Sequence, residues 1–140
     1  MLFTIPLSII PLIVYNIIAF GLLGAFPGDP WTNPVFTLEM ISGARWIMVI
    51  GDLMITVAIV LLFFEILKAT RTGASSIIDH MLSTVVFILY LVEFLLVAEA
   101  AQSTFFILMT ISLIDVVAGF SVTIRSARRD MSIGHPGDAF

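Results

Sequence analysis

The stretch from Arg45 to Arg71, RWIMVIGDLMITVAIVLLFFEILKATR, decides the fold, because between Trp46 and Leu67 its only charged residues are Asp52 and Glu65. So long an apolar run suits the roughly 20 helical residues that cross a hydrocarbon layer about 30 Å thick. Arg45 with Trp46, and Lys68 with Arg71, mark its two ends, since basic and aromatic side chains collect where a span meets the headgroups.

Working outward, three further runs of similar character cover about residues 3–25, 77–100 and 103–125, followed by a polar tail over 126–140. Of the 140 residues 60% are hydrophobic and 11% charged, against about 25% charged in soluble domains, so a water-soluble core is excluded. The expected architecture is an all-α integral membrane protein, a four-helix transmembrane bundle with antiparallel, up-down connections. The short 70–76 turn forces helices two and three to be antiparallel neighbours. The first run lacks the basic start of a secretory signal and exceeds a typical signal core, so it is read as a true span. Pro6 falls near its first turn, Pro11 is expected to kink it, and Tyr15 and Asn16 fall near mid-membrane.

Residues 26–34, FPGDPWTNP, are a loop by composition, with Trp31 suited to the membrane interface. The mildly amphipathic stretch 35–42 predicts a short interfacial helix in the first outer loop. Lys68, Arg71, Arg125, Arg128 and Arg129 lie at one side and Arg45 alone at the other. The positive-inside rule therefore puts both termini in the cytoplasm, with a bacterial inner membrane as the expected setting.

Charged groups at bilayer depth cost about 2.5–3.5 kcal/mol each at a helix centre and face protein or water, so the intramembrane acids are the candidate site. With helix two beginning at Arg45, Asp52 lies about two turns inside the outer boundary, Glu93 at similar depth and Asp115 near the midplane. Helical spacing puts Arg45, Asp52 and Thr56 on one stripe, Ser83, Tyr90 and Glu93 on a second, and Ser112, Asp115, Gly119 and Thr123 on a third. One reading is a proton- or cation-binding cluster of Asp52, Glu93 and Asp115, with Arg45 at the mouth and Tyr90 and Asn16 lining it. The plainer reading makes the same groups hydrogen-bonded glue between helices, with one acid paired to Arg45. Glu65 and Lys68, three apart, make a structural ion pair at the cytoplasmic end. His80 reads as an interface residue, and His135 as a solvated residue of the tail.

The absence of cysteine excludes disulfides, thiolate metal sites and iron–sulfur ligation. With His80 the only helix-associated histidine, bis-histidine haem within one subunit is excluded, and the only lysine, Lys68, lies at a helix end where it cannot carry retinal. No phosphate loop, nucleophile elbow or His-Glu-x-x-His occurs, and no cofactor is expected. The net charge of −4 is dispersed, so no nucleic-acid partner is expected. Length and helix number invite comparison with small multidrug transporters, but the essential first-helix glutamate of those proteins has no counterpart in residues 2–26.

These observations point to a small non-enzymatic membrane protein of structural or accessory type, acting through helix packing in a homo-oligomer or larger membrane complex. The alternative is an oligomeric proton or cation channel or small transporter. An intramembrane enzyme acting on lipid or quinone ranks last. The expected partners are the lipid bilayer and other membrane subunits, including further copies of the chain.

Overall fold

Proline and glycine set the limits of the first helix. In the computed structural model, which describes residues 5–70 and 74–133, α1 covers Ile9–Ala19, shorter at both ends than the expected span. Pro6 and Pro11 hold back its start. Because α1 begins at Ile9, Pro11 occupies the first turn, where a missing N–H has no intrahelical partner to lose, so it does not act as a mid-helix kink. The end is a Schellman motif: Gly21 at φ +66° lets Leu22 N–H donate to Ile17 O and Gly21 N–H to Ile18 O. Eleven residues rise only about 16 Å, half a hydrocarbon layer.

The loop after α1 does not form the expected interfacial helix. A 3₁₀ turn, Pro30–Thr32, is capped by Asp29, whose Oδ1 accepts from Trp31 N–H at 3.1 Å. It leads into an antiparallel hairpin of β1, Pro34–Glu39, and β2, Arg45–Val49. Val35 to Ile41 alternate rather than follow a helical period, and β-branched and aromatic residues suit a pleated ribbon. The turn closes through Gly43 at φ +80°, with Met40 and Ala44 joined across it. Leu38 faces Trp46 and Phe36 faces Met48 across the ladder, and the Phe36 and Trp46 rings meet edge to face at 5.4 Å. This face is apolar, whereas Thr37, Glu39 and Arg45 occupy the other.

Since residues 45–49 are strand, α2 begins at Ile50 and ends at Ala69. It is followed by α3, Ala74–Leu96, a second 3₁₀ turn at Ala98–Ala100, and α4, Ser103–Ile133. Helix α4 continues past Arg125 to Ile133, into the stretch read from the sequence as a polar tail. Arg71 and His135 lie outside the described residues. Three helices are long and apolar enough to cross a membrane, over Ile50–Ala69, Ile77–Leu96 and Ser103–Arg125. Helix α4 packs extensively on both α2 and α3, and α1 leans on the group with fewer contacts. The interior is formed by Leu12, Tyr15, Trp31, Met54, Val86, Tyr90, Phe105 and Leu108. Most other large apolar side chains of the helices face outward, as a membrane solvent requires.

Trp31 is therefore not an interfacial anchor but a core residue, 3% exposed. Its indole stacks on the Tyr15 ring at 4.2 Å and 6°, and Phe105 meets Tyr15 edge to face at 4.7 Å. Gly51 makes the close approach possible, because a Cβ there would stand 3.0 Å from Thr104 Oγ1 and 3.1 Å from Trp31 O.

Candidate intramembrane polar site

The chain segment before α1 is drawn into the helix group by polar side chains. Lys68, one residue before the end of α2, donates to Ile5 O at 3.3 Å and pairs with Glu65 Oε1 at 2.9 Å. It also stands 3.8 Å from Asp79 Oδ2 in the second turn of α3. The second oxygen of Glu65 accepts from Leu7 N–H at 3.1 Å, one of the donors that the turn leading into α1 leaves without a helical partner. Tyr90 then donates to Ser8 O at 3.0 Å. One arm, residues 5–8, is thus fastened to both α2 and α3.

Beyond this arm lies a small cavity of about 10 Å³, lined by Ser8, Glu65, Tyr90, Ser112 and Asp115 among apolar neighbours. That is room for roughly one water molecule. Asp115 and Ser112 stand one turn apart on α4 and are 5% and 1% exposed. The Asp115 carboxyl faces the hydroxyls of Ser8 and Ser83. Even so, Asp115 Oδ2, Ser112 Oγ and Ser8 Oγ are buried without a hydrogen bond of good geometry. Nearby, the His80 imidazole rests on Gly119 of α4, where a Cβ would come within 2.7 Å of its Cε1.

The site residues expected from the sequence are dispersed rather than gathered. Asp52 sits in the first turn of α2, exposed, where its charge favours the positive end of the helix dipole. Its expected depth assumes a helix starting at Arg45, and Arg45 instead lies in β2, opposite Glu39. Glu93 is half-buried against the Asn16 amide, with Oε1 unpartnered. Glu93 and Asn16 line an open, lateral apolar groove of about 790 Å³ between α1 and α3, separate from the Asp115 cavity. Only Asp115 and Tyr90 of the expected set share the cavity, and the acid beside them is Glu65. Lys68 at i+3 accounts locally for Glu65 and hides its second role. The clue in the sequence is the two-turn distance from Glu65 back to the small residue Ala58, which lines the same cavity.

Among the described residues, no group of three or more His, Cys, Asp or Glu side chains is arranged to hold a metal ion. No protein-family model matches the sequence, and it matches neither a curated protein nor a solved structure.

Proposed function

We propose that the chain is a four-pass membrane protein, both termini cytoplasmic, that acts as a structural or accessory subunit by packing against other transmembrane helices. The observation that carries this reading is the uncovered apolar groove between α1 and α3, lined by Ile9, Leu12, Ile17, Leu89, Val92 and Leu96. The groove runs the length of α1, about 16 Å, and on to Leu22 beyond it, a surface suited to a helix from a second copy or another membrane protein.

The fourth crossing is supported by where the first segment is fastened. Its Ile5 carbonyl meets Lys68, at the α2–α3 end of the helices, while the Tyr15 hydroxyl donates at 2.8 Å to Glu99 O, at the α3–α4 end. A short helix preceded by an arm thus connects opposite ends of spans that are about 30 Å long.

The decisive measurement is the mass of the assembly released from its native membrane, with its partners retained. A homo-oligomer or heteromer supports the reading, and a lone monomer in both mild detergent and bilayers overturns it. With no native cysteine, Ile13→Cys and Leu89→Cys report whether a partner occupies the groove, by cross-linking between chains. A second reading, a proton or cation transporter, draws on Asp115, whose buried Oδ2 has no partner. Absence of flux above empty liposomes across a pH range would remove it.

A further inference from the structure

The oxygen-lined cavity between the N-terminal arm, α2, α3 and α4 has a chemistry that helix packing alone does not require. Three oxygens without good hydrogen bonds, Asp115 Oδ2, Ser112 Oγ and Ser8 Oγ, belong to residues that line it. The carbonyl of Ser8, the N-cap of α1, accepts from Tyr90 as well as from the helix, so the oxygen that Ser8 can offer is its hydroxyl. Every polar side chain at the cavity therefore offers an oxygen, and none offers a nitrogen.

Charge points the same way. The α2 groups are Glu65 and Lys68, α3 brings Asp79 and His80 to the same region, α4 contributes Asp115, and the arm contributes no charged side chain. Lys68 is already engaged by Glu65 Oε1, Ile5 O and, more distantly, Asp79. The carboxylates thus outnumber this ammonium, and Asp115 has no cation of its own among these contacts. A buried carboxylate whose charge no cation compensates is strongly disfavoured.

From this geometry we propose that the cavity is a binding site for one small monovalent cation of the lithium or sodium class, held by Asp115, Ser112 and Ser8 and locking the arm to α4. Size and ligand number select the class. Calcium takes six to eight oxygens and magnesium retains several waters, whereas this space admits about one water-sized body. The bound ion supplies the positive charge that Asp115 lacks and ties together segments more than 100 residues apart in the chain, Ser8 and Ser112. This is a resident ion and does not depend on the chain carrying ions across the membrane.

The test is thermal unfolding of the full chain in nanodiscs at fixed ionic strength in sodium, lithium, potassium or choline chloride, together with equilibrium binding of radioactive sodium. The expected result is a saturable rise in Tm with sodium or lithium over choline, smaller with potassium, and one sodium retained per chain. Protons compete for Asp115, so the sodium effect shrinks as pH falls. Ser112→Ala and Ser8→Ala keep the fold while weakening sodium retention at least tenfold, and Asp115→Asn abolishes it. Equal Tm in all four salts with no retained sodium overturns the proposal and leaves a proton or a water in the cavity. Sodium retention unchanged in both serine variants also overturns it, by placing the ion elsewhere.

Discussion

The imidazole of His80 lies directly against Gly119, so that at this level α3 and α4 meet through a histidine and a glycine rather than through two apolar side chains. The contact is tight enough that even one methyl group has no space. Gly119→Ala is expected to destabilise the protein by about 1–3 kcal/mol, the usual effect of overpacking a filled interior. Adding His80→Ala should recover part of that loss, with a coupling of at least about 0.5 kcal/mol in a double-mutant cycle measured by denaturation in micelles. Additive effects would mean that the two residues do not touch.

Lys68 is the cation on which the N-terminal arm depends. Lys68→Met removes the partner of buried Glu65 and the donor to Ile5 O. Leaving a buried charge unpaired costs about 3–5 kcal/mol. The double variant Glu65→Gln with Lys68→Met should unfold at a higher temperature than Lys68→Met alone, because no uncompensated charge remains. If the double variant is no more stable than the single one, the buried pair is not what holds the arm.

Tyr15 and Trp31 join α1 to the loop that follows it. Trp31→Ala should destabilise by about 3–5 kcal/mol as a buried large aromatic, and Tyr15→Phe by about 1 kcal/mol through the lost bond to Glu99 O. Fluorescence separates the two indoles. In Trp46→Phe the remaining Trp31 is shielded from an aqueous quencher, and an easily quenched Trp31 would contradict the stack.

Single cysteines test orientation on this cysteine-free chain. A membrane-impermeant maleimide added to intact cells should label Ser42→Cys in the hairpin turn, and should label Thr70→Cys only after the cells are opened. The reverse pattern would invert the topology.

Patterns confined to one helix were legible in the sequence, and those requiring a distant partner were not. Ser112, Asp115 and Gly119 share a face by spacing alone, and all three are buried. The alternation of residues 35–41 was equally available, but a strand gains definition only from its partner, and β2 was absorbed into the neighbouring apolar run. That one misassignment also moves Asp52 from the first turn of α2 to a false depth. Trp31 reads as interfacial because its neighbours are turn formers, while its burial comes from Tyr15, sixteen positions earlier in the chain. Glu65 passes for a surface ion pair because nothing local reveals Asp115.

The fastenings of the first segment carry a consequence for biogenesis. Its side-chain bonds to other elements reach 58, 63, 82 and 84 residues along the chain, to Glu65, Lys68, Tyr90 and Glu99. During synthesis none of these partners exists when α1 emerges, and α1 alone is half a membrane long. A segment made before all four of these partners is therefore secured only after them, a clasp that closes once α2 and α3 are in place.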